Sequence, residues 1–248
     1  MKNRNILLIG FLFCTLRLFA QTEYTVNLYD AQRERIVPIA IYEPKHVNKH
    51  TPVIIFNHGY GQNAPDSYIS YSCLTKPLAM KGYYVISIQH ELPNDLPLAM
   101  SGNFMKTRMP NWERGVENIL FTIKEFKKFK PKLSWNNITI MGHSNGGDMA
   151  MLFAAKHPTM AQKIISLDHR RMVMPRCSSP KVYTLRGSDY GADENVIPTV
   201  EEQQKYHISV IQLDDIKHGD MDNKGKREQH DTIPVSYTHL RAHETLRH

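Results

Sequence analysis

The sequence predicts an α/β fold, with one domain over residues 21–234 built on a mostly parallel central sheet of about eight strands with helices on both faces. Three observations predict it. Apolar runs such as Pro52–Phe56, Tyr83–Gln89 and Pro180–Arg186 are continuous and not alternating, as strands covered on both faces are. Between such runs lie helical stripes, clearest over Trp112–Lys128, where Val116, Ile119, Leu120, Ile123 and Phe126 share one face. Finally, the β-branched run Ile138-Thr-Ile-Met enters a Gly-x-Ser-x-Gly turn, Gly142-His143-Ser144-Asn145-Gly146, and leaves it in an Ala/Met/Leu-rich helical pattern, Asp148–Lys156.

In chain order, Glu23–Asp30 alternates polar and apolar residues and reads as an edge strand. Arg35–Tyr42 is a second strand, which Pro38 confines near an edge or bulge because proline cannot donate to a ladder. Pro52–Phe56 then delivers His58-Gly59-Tyr60-Gly61 to the sheet's C-terminal edge. Ser67–Met80 is helical in pattern and Gly82 caps it. Residues 92–110, broken by prolines and carrying scattered Met and Phe, show no period. A segment that long is often functional, and Met100, Phe104, Met105 and Met109 are candidates to line an apolar acyl pocket. Lys163–Asp168, Pro180–Arg186 and His207–Leu213 are the later strands, with a helix over Thr199–Lys205.

The Gly-x-Ser-x-Gly context is that of a nucleophile elbow. Small residues at 142 and 146 let strand and helix pass in contact, and the helix start behind Ser144 turns free N–H groups toward developing negative charge. From here onward the chain resembles the α/β-hydrolase superfamily, whose nucleophile, acid and histidine follow one another in that order. The resemblance implies Ser144 as nucleophile, His218 in Lys217-His218-Gly219 as general base, and an aspartate shortly after the Pro180–Arg186 strand as the acid. Asp189 fits the strand end and Asp193 fits the approach to Val196-Ile-Pro198, with Asp189 preferred slightly. Asp168 is a third possibility, one strand early, for which a salt bridge to Arg170 or Arg171 is the simpler reading. The same resemblance makes the backbone N–H groups of Tyr60 and Asn145 the oxyanion donors. His58, Gly59 and His143, next to these positions and to Ser144, and Met105 of the 92–110 segment are the further candidates for contact with substrate.

The expected chemistry is hydrolysis of carboxylic esters, on a small-molecule or lipid-like substrate, through an acyl-enzyme that needs no cofactor and no metal. A lipase or peptidase of the same fold and a non-catalytic scaffold used for binding are the alternatives. Nucleic acid is not an expected partner. The formal charge is +7, but Lys2, Arg4 and Arg17 supply three of those charges and Arg241 and Arg247 against Glu244 one more, which leaves about +3 for residues 21–234.

Residues 1–20 read as a secretory signal peptide, with a basic start, an apolar stretch of about eleven residues too short for a membrane span, and cleavage after Ala20. That implies a secreted or periplasmic protein without stable membrane insertion. Cys73 and Cys177 could pair in an oxidising compartment or remain free. Val235–Thr245 resembles a sequencing-library adaptor translated in one frame, so residues 235–248 are expected to be a non-native tail that truncates the C-terminal helix, with poor packing from about Gly225.

Overall fold

A computed structural model describes residues 22–233. The leader read in residues 1–20 and the adaptor-like tail at 235–248 lie outside the described residues. Eight strands form one sheet in the order β1-β2-β4-β3-β5-β6-β7-β8, comprising β1 (Thr22–Asp30), β2 (Arg35–Glu43), β3 (Pro52–Asn57), β4 (Tyr84–Ile88), β5 (Ser134–His143), β6 (Lys163–Leu167), β7 (Lys181–Arg186) and β8 (Ser209–Gln212). Only β2 runs against its neighbours, and every pairing from β4 to β8 is parallel. Pro38 is therefore accommodated in the second strand and not at the edge: it lies opposite Asn27 just beyond the residues paired to β4, where its carbonyl accepts from Gln89.

Residues alternate between two cores, as the pleat requires. Val53, Ile55, Ile138 and Ile140 face the helices α3 (Met109–Phe129) and α4 (Asn145–Lys156), packing with Trp112, Ile119, Met149 and Phe153. Ile54, Phe56, Met141 and Leu185 face the other way, onto α1 (Ser72–Met80) through Leu74 and Leu78. The predicted helix 67–80 is split into a 3-10 turn, Ser67–Ile69, and α1, with Tyr71 buried between them. Gly82 follows α1 at φ +95°, a conformation that suits glycine. The segment 92–110 holds a short α2 (Phe104–Thr107) and the start of α3. Thr199 caps α5 (Val200–Tyr206) with a full capping box to Glu202.

The expectation of poor packing beyond Gly225 is overturned for the residues up to 233. Residues 227–233 are helical, the His230 ring bonds the Asp222 carbonyl at 2.7 Å, and Ile233 is buried with Leu213, Ile216 and Met221.

The strand register decides what meets at the C-terminal edge. Asn57 pairs with Gly142, His143 with Leu167, and Leu167 with Leu185. The residues that follow these ends, His58, Ser144, Asp168 and Gly187, thus emerge side by side.

Candidate active site

Ser144 stands between β5 and α4 at φ +51° and ψ −119°, and its N–H donates to the Leu167 carbonyl at 2.9 Å. This is a strained setting for a residue with a side chain. It is maintained by close backbone contact on both sides: a Cβ on Gly142 would fall on the Gly146 carbonyl, and one on Gly146 on the Asn57 carbonyl. The turn lifts the Ser144 hydroxyl to a partly exposed position.

His218 opens a 3-10 turn, His218–Met221, after β8. Its Nε2 lies 3.0 Å from Ser144 Oγ, and its Nδ1 lies 2.6 Å from Asp168 Oδ2. The imidazole therefore donates from Nδ1 to the carboxylate and offers the Nε2 lone pair to the serine.

The expected acid is corrected. Asp189 sits at the surface and accepts the His218 backbone N–H at 2.7 Å, which anchors the loop and not the ring. Asp193 is also exposed and pairs with Arg171. Asp168 faces the ring because β6 lies directly beside the elbow strand and its backbone turns to φ +51°. Its ion-pair partner is not one of the adjacent arginines but Arg186, from the end of β7, at 2.8 Å, and the Gly187 N–H adds a bond at 3.1 Å. Burial alone would raise the Asp168 pKa, but the His218 hydrogen bond, the Arg186 charge and the Gly187 N–H outweigh it and hold the carboxyl below its ordinary range.

His58 and His143 form the wall behind the site. His58 is buried, with Nδ1 on the Gly59 carbonyl at 2.7 Å and Nε2 accepting the His90 N–H at 3.0 Å. Neither ring nitrogen is turned to a substrate, which corrects that expectation. His143 packs its ring 4.6 Å from the His218 ring and meets the Tyr71 hydroxyl at 2.8 Å. Burial and the neighbouring His218 push its pKa down to about 3, so the His143 ring stays neutral beside His218. Tyr71 also accepts the Gly59 N–H at 3.0 Å, pinning the loop that carries Tyr60. A Cβ on Gly59 would lie 3.3 Å from Ser144 Cβ, so this loop passes directly over Ser144.

Asn145 begins α4, where a backbone N–H has no intrahelical acceptor. Its side chain is buried in a network that the sequence did not disclose. Asn145 Nδ2 donates to Glu91 Oε1 (3.2 Å) and Asn111 Oδ1 (2.9 Å), Asn111 donates to Glu91 (3.0 Å), and the Trp112 indole donates to Asn145 Oδ1 (2.8 Å). Glu91 and Asn111 join opposite ends of the 92–110 segment to the elbow. A polar pair flanking an unpatterned loop was the only sequence signal for them.

Met105 is 40% exposed on α2, and Met109 packs against the first core. Phe104 does not form a bare apolar wall, because the guanidinium groups of Arg108 and Arg171 lie 4.3 and 4.6 Å from its ring centre. Among the described residues no group of three His, Cys, Asp or Glu side chains is arranged to hold a metal ion. Cys73 and Cys177 are free thiols, and burial pushes the Cys73 pKa up to about 12.

Comparison with known proteins agrees with this architecture. A solved structure of the esterase Est22 with p-nitrophenol superposes with a TM-score of 0.65 at 11% identity, covering 88% of this chain and 80% of that one. Thermogutta terrifontis esterase 2 phosphoramylated by tabun gives 0.63 at 11% identity, covering 88% and 94%. These likenesses establish the fold. Among curated proteins, a serine hydrolase-like protein of Mus musculus is 26% identical over 101 residues, 41% of this chain. The chain spans less than a third of the length of the curated relatives it matches, 31% in that case. The BD-FAE family model matches residues 39–172, more than half of the sequence and including the elbow and Asp168. The chain thus belongs to the BD-FAE family, a family of α/β-hydrolase-type esterases.

Proposed function

We propose that the protein is a serine esterase, hydrolysing carboxylic esters through a Ser144–His218–Asp168 triad and an acyl-enzyme. The observation that carries this reading is the His218 ring, bonded on one nitrogen to Ser144 (3.0 Å) and on the other to Asp168 (2.6 Å). A serine hydroxyl is almost wholly protonated near neutral pH and becomes an effective nucleophile only when a base takes its proton during attack. His218 Nε2 is within reach to do so. Asp168 fixes the tautomer and stabilises the imidazolium.

As Ser144 Oγ adds to the ester carbonyl, the oxyanion would be received by the N–H groups of Asn145 and Tyr60, each donor lowering the barrier by roughly 3 kcal/mol. His218 returns the proton to the leaving alcohol. It then activates a water that releases the acid and regenerates Ser144.

Labelling with a fluorophosphonate tests the reading. A single adduct on Ser144, absent in Ser144→Ala, together with turnover of p-nitrophenyl butyrate, is the expected result. A folded sample that neither labels nor turns over would leave only the binding-scaffold alternative. Export belongs to the same proposal, and mass spectrometry of the protein from its native host should find Gln21 as the first residue.

A further inference from the structure

Three arginines gather around the Phe104 and Tyr190 rings with too little carboxylate to neutralise them. Arg170 and Arg171 follow the end of β6, just past Asp168, and Arg108 ends the segment after β4 and precedes α3. Arg108 and Arg171 share the Phe104 ring. Arg170 lies 4.6 Å from the centre of the Tyr190 ring, and Tyr190 meets the His218 ring edge-on at 6.1 Å.

Arg171 has Asp193 as an ion-pair partner. Arg108 and Arg170 have no carboxylate within ion-pair distance among the described residues, and Arg108 Nε donates instead to the Ala99 carbonyl. The other acid nearby, Asp148, is buried and accepts the backbone N–H groups of Arg171 and Met172. Burial, then the charges of Arg171 and Arg170, push the Arg108 pKa down.

Aromatic faces compensate a guanidinium only in part. A guanidinium left without an acceptor is matched in geometry by a carboxylate fork. The cluster stands at the C-terminal edge of a parallel sheet, where α/β folds bind their ligands.

We infer that the ester carries a carboxylate, received by Arg170 with Arg108 beside it. The substrate is then a half-ester of a dicarboxylic acid, or a hydroxy- or phenolic acid acylated on its oxygen with its own carboxyl group free. This rests on the serine-esterase reading and deepens it to a substrate class. Arg171, held by Asp193, positions the Phe104 ring from the other side.

Two matched pairs of esters locate the charge. p-Nitrophenyl hemisuccinate against p-nitrophenyl butyrate places it on the acyl side, and 4-(butyryloxy)benzoate against phenyl butyrate places it on the alcohol side. The readout is the ratio of kcat/KM, charged to neutral, within one protein, so that general damage from a substitution cancels. One pair should favour the charged ester by about tenfold, and Arg170→Gln or Arg108→Gln should reduce that ratio by about tenfold through KM. Arg170→Lys should restore part of the ratio, and added NaCl should lower it in the wild type by screening. Ratios near one in the wild type, or unchanged by both substitutions while Ser144 still labels with the fluorophosphonate, would overturn this inference alone. Failure of Ser144 to label would overturn the esterase reading itself.

Discussion

Asp168 reaches Nδ1 of His218 at 2.6 Å from the end of the strand next to the one that leads to Ser144, while Asp189 holds only the backbone of the same histidine. The two aspartates are therefore separable by substitution. Asp168→Asn should lower kcat by about 10³–10⁴-fold, because an amide no longer holds the imidazole in the tautomer that accepts from Ser144. Asp189→Asn keeps an acceptor oxygen for the loop and should cost less than about tenfold, and Asp193→Asn should cost no more. Turnover of p-nitrophenyl acetate by the three variants, each checked for native circular dichroism, distinguishes them. A kcat loss below about tenfold in Asp168→Asn would remove Asp168 from the triad.

The elbow was legible in the sequence because its signal is local: a β-branched run, two obligatory small residues and a helical pattern lie within 20 consecutive positions. His218 was legible as a histidine in a loop beyond the last strand. The acid was not. Asp168, Asp189 and Asp193 all follow strands, and choosing among them requires knowing that β6 adjoins β5 and that Asp168 turns to positive φ. The sequence did place Arg186 at a strand end, but only the register Leu167 to Leu185 sets it beside Asp168. His58 looked like a ligand-facing residue for the opposite reason. Its loop does face the site, but its ring is bonded to Gly59 and His90 behind it.

Tyr71→Phe tests the tie between the oxyanion loop and the wall behind it. The hydroxyl joins the Gly59 N–H to His143 Nδ1, and removing it leaves both buried groups unsatisfied. A loss of stability of about 1–3 kcal/mol is expected, with a fall in kcat larger than any change in KM, since in the proposed mechanism the loop donates to the oxyanion and not to the bound ester. Urea unfolding together with steady-state kinetics measures both. A fully stable variant whose only defect is a raised KM would contradict this role.

Glu91 accepts from Asn145, the residue after Ser144. Glu91→Gln keeps an oxygen able to accept from Asn111 and Asn145, whereas Glu91→Leu leaves two buried amide donors without it. The leucine variant should be destabilised by about 1–3 kcal/mol per unpaired donor and lose kcat, and the glutamine variant should recover most of both. Equal losses in the two variants would show that the charge of Glu91, and not its hydrogen bonds, is what matters.

Asp148 gives a dependence of stability on pH whose sign runs opposite to that of Asp168. Burial raises its pKa from 3.8 to about 6, against the lowering effect of the Met172 and Arg171 N–H groups and the nearby arginines. The folded state therefore binds this proton more tightly than the unfolded chain does. Stability from this group is fully present below about pH 4 and is lost as pH rises through about 6. Asp148→Asn keeps an acceptor for the two backbone N–H groups but does not titrate. The difference in unfolding free energy, wild type minus Asp148→Asn, should fall by up to about 3 kcal/mol between pH 4 and pH 6 and then level off. Contributions from Asp168 and other acids are common to both proteins and cancel. Chemical unfolding of the pair at closely spaced pH values measures this difference directly. A flat difference would mean that Asp148 titrates as an ordinary surface carboxylate, and a rising one would mean that Arg108 and Arg171 outweigh its burial.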